Sequence, residues 1–442
     1  MPPKSRTRKK RKAAEPDEPD EPDEPPPPPP PRPKRAKTKR GGRSGDNASA
    51  DNAQGPLEGE EERPGLSETD SVAKLDGEDR AQRLGLRGVG TDPKAEWQWV
   101  RSLGTGGVGH AGLWKRVDEN GELIDRIVAK ESSPEFFMSR DLWYDEPLKT
   151  PKEAALMESI NQMRDSKNVL RCLGWRVYKV LKIIRLYLEY CEHGDLENLI
   201  EIYDRKRGSS TDHYLPVRAI WAIFESLVAA LCLLHRGGMP GHSLPPKWKP
   251  MVHQDIKPHN IFMTKPDEVI WKQIPTPKLA DFGTATQDTF IIPGGGTKGY
   301  RAPEQYDYED PDNEDSDNAM SNVDITTKSD IWAAGRTILV LMNLTKDTDI
   351  KEHRFGSGNI LPEYRDVATE NYYPDELKDL VERCLRDKPE ERPDVVELWN
   401  SIQTHVGTPI SRGALPMRQA QRPFDEEPLE LPGTGKDHGW GI

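Results

Sequence analysis

The sequence predicts an α+β chain in which a β-rich part precedes a larger helical part, with tails at both ends. Three observations carry this. Residues 97–130 hold strand-like runs joined by glycine turns. Ile220, Phe224, Leu227, Leu231 and Leu234 recur at steps of four, three, four and three, the period of a helix with one buried face. Residues 1 to about 90 show no hydrophobic period, and with 40 prolines and only 34% hydrophobic residues in 442, much of the chain cannot be core. One folded unit with tails is expected.

The N-terminal tail, residues 1–90, is read as disordered, basic and proline-rich. A Glu-Pro-Asp repeat from Glu15 to Pro25 and a proline run to Pro31 cannot pack a core and instead favour an extended spacer. The spacer separates two basic clusters, Arg6–Lys12 and Pro33–Arg40. Clusters of this density predict a nuclear-import signal, hence an import receptor as partner, or a polyanion-binding arm; a solvated tail is the plain alternative. Across the chain 63 Lys and Arg face 75 Asp and Glu, a net charge of −12, which argues against a protein that coats nucleic acid over its whole surface. Cys172, Cys191, Cys232 and Cys384 show neither zinc-site nor disulfide-framework spacing. The longest apolar run, Leu227–Leu234, is far below the roughly 20 residues of a membrane span, and no apolar stretch follows the basic N-terminus. The expectation is a soluble protein of the nucleus, or of nucleus and cytoplasm, neither secreted nor membrane-bound.

Order is expected to begin near Trp97. Trp97–Val100 leads into Leu103-Gly104-Thr105-Gly106-Gly107-Val108-Gly109-His110-Ala111, whose glycines would let backbone amides approach phosphates closely. Leu113-Trp114 and Ile127-Val128-Ala129-Lys130 read as strands with an Asn120-Gly121 hairpin turn between them. The glycine loop therefore sits inside a hairpin and does not open a helix, which separates it from dinucleotide-binding folds. Lys130 ends the third strand on the same face as Val128, and a lysine facing an enclosed pocket needs an anion. A helix from about Lys152 to Met163 follows from Leu156, Met157, Ile160 and Met163, with Glu153 on the same inward face.

Leu181–Tyr190 reads as a buried strand that runs into Glu189-Tyr190-Cys191-Glu192-His193-Gly194-Asp195. The helix of Ile220 to Leu234 ends at His235–Gly238, and Pro240–Pro250 reads as an inserted loop. A further apolar helix begins at Ser329 with the serine as its cap, and Pro374 opens another carrying Leu377, Leu380, Val381 and Cys384. Beyond about His405 the chain, residues 406–442, reads as a flexible tail.

The chemistry is concentrated in His253-Gln254-Asp255-Ile256-Lys257-Pro258-His259-Asn260. The Asp255 carboxylate can accept a hydroxyl proton, Lys257 can neutralise charge gathering on a transferring phosphate, and Asn260 offers an oxygen to a magnesium ion. Pro258 disfavours helix at Lys257, so the segment should be a loop. A second metal ligand is available in Lys278-Leu279-Ala280-Asp281-Phe282-Gly283, and Gly296-Thr297-Lys298-Gly299-Tyr300-Arg301-Ala302-Pro303-Glu304 follows.

In this order the three pieces resemble the catalytic loop, magnesium loop and end of the activation segment of eukaryotic protein kinases, and the resemblance extends from about Trp97 to about Ile402. It implies a bilobal protein-kinase-like fold over residues 91–405, with an N-lobe from about 97 to 190 and a C-lobe from about 191 to 405. It implies ATP and Mg2+ as cofactors, with the phosphates under residues Leu103–Ala111 and held by Lys130, and the metal held by Asn260 and Asp281. By the same resemblance Glu153 pairs with Lys130, with Glu158 as second candidate. Glu189 and Cys191 form the adenine hinge behind Leu188, Asp195 lies near the ribose, and Arg392 pairs with Glu304. Lys257 and Thr297 resemble the serine/threonine branch, so protein Ser/Thr hydroxyls are the implied acceptors. Gln254 departs from the pattern, standing where the family often has an arginine that holds a phosphorylated activation loop. The acidic run Asp307–Asp317 predicts a preference for basic substrates and a site where the basic arm could compete with them. The rival readings are a pseudokinase or scaffold that keeps the fold without the chemistry, a nuclear protein that binds nucleic acid through its basic arm, and a small-molecule phosphotransferase of related fold, which the segment Thr297–Glu304 disfavours.

Overall fold

The computed structural model describes residues 96–106, 109–132, 142–144, 150–207, 213–267, 269–287, 295–306, 325–346, 363–407, 417–418 and 429–431. All of them fall within one compact unit, Pro64–Ile442. The N-terminal tail with its basic clusters, Gly107 and Val108, and the acidic run 307–317 lie outside the described residues.

The first layer is a five-stranded antiparallel sheet of β1 (Glu96–Gly106), β2 (Gly109–Val117), β3 (Leu123–Ser132), β4 (Cys172–Tyr178) and β5 (Ile183–Glu189), in the order β1-β2-β3-β5-β4. The β2–β3 hairpin turns where the Asn-Gly pair predicted it. Gly121 has φ 83° and bonds the Asp118 carbonyl at 3.1 Å, while the Asp118 carboxylate accepts the amides of Asn120 and Glu122. Side chains alternate along β3. Ile127 and Ala129 join Trp97, Trp114 and Tyr187 in one aromatic-rich cluster, and Val128 packs into the main core on the opposite face, the face Lys130 shares. Gly109 admits no side chain, because an added Cβ would stand 1.8 Å from the Glu131 carbonyl oxygen.

α1 (Lys152–Asn161) packs against β4, with Ala154, Leu156, Met157 and Ile160 buried; it ends two residues before the predicted Met163. β4 was not foreseen, and its uniformly half-buried residues explain why it shows no alternation.

The helical layer comprises α2 (Leu196–Arg207), α3 (Val217–Arg236), α4 (Thr327–Asn343), α5 (Val367–Tyr372), α6 (Asp375–Cys384) and α7 (Val395–Val406), with a small hairpin of β6 (Ile261–Pro266) and β7 (Pro275–Leu279). α3 is its centre, buried almost throughout. At 20 residues it is long and apolar enough to cross a membrane by composition alone, which the shorter run Leu227–Leu234 did not suggest; its burial makes it a core helix. It stops at Gly237 (φ 76°), over which Trp248 of the predicted insertion packs, and the Trp248 indole donates to the Leu234 carbonyl at 3.0 Å.

Two expectations are corrected. The cap of α4 is Thr326, whose hydroxyl accepts the Lys328 amide; Ser329 lies inside the first turn and donates instead to Glu304 at 2.7 Å. The chain beyond residue 405 is not merely a loose tail. The Met417 carbonyl accepts Arg218 Nε at 3.2 Å, Arg418 donates to Gln403 at 3.0 Å, the Glu430 amide bonds the Tyr203 hydroxyl at 3.0 Å, and Met417 and Leu429 pack on the core. Isolated apolar residues set among polar ones have no period, so these contacts were invisible in the sequence.

Candidate active site

Two loops converge where the sheet meets the helical layer, and the segment bearing Thr297 closes on the first. The first, residues 252–260, leads from α3 into β6 and is held from beneath by α4. The Asp330 carboxylate accepts the backbone amides of His253 (2.8 Å) and Gln254 (3.0 Å) and faces His235 Nε2 at 3.0 Å. A fully buried carboxylate is costly unless its oxygens are occupied, so this arrangement fixes the loop on α4. Asp330 was missed as a site residue. Its signal was a carboxylate in the first turn of the helix, followed directly by the apolar run Ile331-Trp332-Ala333-Ala334.

Asp255 lies at the centre of a polar cluster. Its Oδ1 accepts the Thr297 hydroxyl at 2.7 Å, its Oδ2 accepts Asn260 Nδ2 at 3.0 Å, and Lys257 Nζ stands 3.1 Å from Oδ2. Lys257 also donates to Thr297 Oγ1 at 2.6 Å, so base, cation and hydroxyl form one closed ring. Thr297 follows Gly296 (φ 88°), where an added Cβ would stand 2.3 Å from the Gln254 carbonyl oxygen; only glycine lets the segment approach the loop so closely. Asn260 Nδ2 donates to both the Asp255 carbonyl and its carboxylate, which directs the Asn260 Oδ1 acceptor elsewhere.

The second loop carries Asp281 after β7. Asp281 has φ 60° and Gln254 φ 69°, left-handed backbone that costs roughly 1–2 kcal/mol per residue outside glycine and that is stored here at the site. Phe282 is fully buried, edge-on to the His253 ring at 4.9 Å, and His253 Nε2 lies 3.0 Å from the Ala280 carbonyl. This packing turns the Asp281 carboxylate toward β3.

Lys130 joins the two layers. Its Nζ bonds Asp281 Oδ1 at 2.7 Å and Glu153 Oε1 at 3.0 Å, the latter from α1, so Glu153 and not Glu158 is the glutamate brought to it. Burial works against all three charges. The Lys130 ammonium nevertheless stays strongly charged, raised by the adjacent carboxylates of Asp281 and Glu153. Burial pushes the Asp281 carboxyl up, but Lys130, with His253 and Lys257, outweighs it and holds the group down at about 2. Glu153 goes the other way, its pKa raised by burial and by the Asp281 charge more than Lys130 lowers it.

The remaining residues predicted for the nucleotide divide. Leu103 on β1, Ala111 on β2 and Val128 on β3 are buried, and Gly104, Gly106, Gly109 and His110 lie on β1 and β2. Of Thr105 only the backbone is described, and Gly107 and Val108 lie outside the described residues. Glu189 ends β5, where its carboxylate accepts Lys278 Nζ at 2.8 Å and the Arg171 amide at 2.7 Å, which links this strand to β7. Cys191 is buried, and burial raises its thiol well above the ordinary range. Asp195, expected near the ribose, is fully buried and caps α2, its Oδ1 accepting the Asn198 amide at 2.9 Å.

Farther out, Arg392 and Glu304 form the expected pair, bidentate at 2.7 and 2.8 Å and fully buried, with the guanidinium over Trp332.

Among the described residues no group of three His, Cys, Asp or Glu side chains could hold a metal ion. An Asp and an Asn oxygen donor beside a phosphate site instead suit a hard divalent cation, which takes its remaining ligands from phosphate and water.

Residues 97–402 match the family model of the protein kinase domain. The G2-specific protein kinase fin1 of Schizosaccharomyces pombe is 27% identical over 266 residues, covering 56% of this chain and 32% of that protein. The serine/threonine-protein kinase Nek2 of Mus musculus is 26% identical over 312 residues, covering 69% and 59%. The G2-specific protein kinase nimA of Emericella nidulans is 28% identical over 246 residues, covering 50% and 30%. The chain thus spans between 30% and 59% of the length of these relatives.

Proposed function

The chain belongs to the protein kinase family, and from that premise we propose that it transfers the γ-phosphoryl group of ATP to serine and threonine hydroxyls of proteins. The observation that carries this is the ring of Asp255, Lys257 and Thr297 set beside the Lys130–Asp281 contact that joins the two layers. Proton acceptor, phosphate-neutralising cation and phosphate-anchoring cation are then all in place.

Asp255 orients the acceptor hydroxyl and takes its proton as the new oxygen–phosphorus bond forms and the bond to the departing ADP oxygen breaks. Lys257, within 3.1 Å of that carboxylate, offsets the charge building on the transferring group. Lys130 holds the α and β phosphates, itself oriented by Glu153. Asp281, ionised throughout the physiological range, and the Asn260 oxygen are the groups that would hold magnesium. When bound, that ion neutralises phosphate oxygens as a Lewis acid.

Thr297 supports Ser/Thr acceptors, because its hydroxyl occupies the space between base and lysine. The test is transfer of labelled phosphate from ATP to a peptide array, with and without magnesium, followed by phosphoamino-acid analysis. Magnesium-dependent phosphoserine and phosphothreonine are expected, and their absence in Asp255→Asn. Phosphotyrosine alone, or no transfer by the wild type, would overturn the proposal.

We also propose that the substrates are basic, on the strength of the acidic run Asp307–Asp317, and that the Arg6–Lys12 and Pro33–Arg40 clusters engage a nuclear import receptor. A fluorescent fusion that stays nuclear after loss of residues 1–40 would refute the second proposal.

A further inference from the structure

α1 must be held in place for Glu153 to reach Lys130, yet the helix begins without a side-chain cap. Its N-cap is Pro151, in extended backbone, whose side chain makes no cap hydrogen bond. What lies directly before it is a short return of the chain. The Tyr144 amide donates to the Thr150 carbonyl at 2.9 Å, and Trp143 pairs with Pro151 as an antiparallel bridge. This closure brings two large apolar residues to the start of α1. Trp143, 9% exposed, is part of the core cluster that includes Ala154, Leu156 and Met157 of α1. Leu142 lines a cavity of about 270 Å³ together with Lys130, Glu153, Asp281, Ile184 and Leu186.

We propose that Leu142 and Trp143 are positioning residues: an apolar anchor in the β3–α1 connection that pins the start of α1 and so keeps Glu153 against Lys130. A buried tryptophan contributes a large apolar contact area, and here it acts directly beside the start of the helix. The bridge to Pro151 transmits it, because proline fixes φ at the junction and leaves little freedom between anchor and helix. The chain then carries its own determinant of the Lys130–Glu153 contact. The catalytic part of this inference rests on the proposed kinase function; the anchoring part does not.

The test uses the full-length protein in two arms. In the first, amide hydrogen exchange is followed over residues 152–161. Trp143→Ala is expected to speed exchange there by about tenfold or more, with α3 unchanged, and Trp143→Phe to restore protection. In the second, Trp143→Ala is expected to lower kcat by on the order of tenfold to a hundredfold, the loss that displacement of a catalytic group by about 1 Å brings. In a Glu153→Gln background the same change should add little further loss, since the anchor acts through Glu153. Unchanged exchange in α1, or losses that multiply in the double variant, would overturn the proposal. Should Trp143→Ala lose cooperative unfolding, Leu142→Ala carries the same comparisons. A wild-type protein that transfers no phosphate would refute the kinase reading, while the exchange arm would still decide the anchor.

Discussion

The side-chain amide of Gln254 donates to the backbone carbonyl of Thr284 across 2.8 Å. The bond ties the loop bearing Asp255 to the segment that follows Asp281, and Thr284 answers with its hydroxyl on the His253 carbonyl at 2.9 Å. A neutral amide on a neutral carbonyl needs no phosphate to hold it, and it cannot form the charge-assisted pairs an arginine makes. Activity is therefore expected to survive phosphatase treatment unchanged. Loss of activity that phosphorylation between Thr284 and Thr297 restores would contradict this.

Asp255→Asn replaces a carboxylate that accepts the Thr297 hydroxyl and the Asn260 amide and neighbours the Lys257 ammonium. The transfer rate should fall by on the order of 10² to 10⁴. Lys130→Ala and Asp281→Asn should each lose most activity as well, with circular dichroism little changed, because none of the three removes core volume. Near-normal single-turnover rates in Asp255→Asn would refute its role as base.

Arg392 and Glu304 are both fully buried, so removing one leaves the other a charge without its partner. Arg392→Met is expected to cost about 3–5 kcal/mol of stability, measured by urea denaturation. Arg392→Lys should recover little of it, since an ammonium cannot supply the two parallel donors seen at 2.7 and 2.8 Å.

Lys130 holds Asp281 at about 2, below its ordinary 3.8. A depressed carboxyl stabilises the folded state above its unfolded value, and that contribution is lost as the group is protonated on the way down to its folded value. Urea midpoints of the wild type and Asp281→Asn should therefore differ by a constant amount above about pH 4. The difference should shrink from about pH 4 toward pH 2. A difference that persists unchanged at pH 2 would show that Asp281 does not titrate in this way.

The acidic run Asp307–Asp317 and the basic clusters between Arg6 and Arg40 are expected to compete for, or as, basic ligands. At low salt the Michaelis constant for a basic peptide should fall when residues 1–40 are removed and rise when residues 307–317 are removed. Both effects should fade as salt approaches physiological strength, where screening acts over about 8 Å. Equal constants in all three proteins at low salt would end this expectation.

The sequence by itself determined the chemistry and the local frame. Asp255, Lys257 and Asn260 lie within six residues of one loop, the hairpin turn at Gly121 needs only its own neighbours, and the apolar stripe of α3 repeats along one element. Such features are legible because spacing and side-chain type act over a few residues. Only the tertiary structure decided which distant groups meet. Asp330 grips amides 77 and 76 residues before it, Lys130 reaches Asp281 across 151 residues, and Glu189 binds Lys278 across 89. The same packing made Asp195 a helix cap and brought Met417 and Leu429 onto the core. No periodicity encodes these pairings, because each arises when burying apolar faces forces two polar groups from separate elements to satisfy one another away from water.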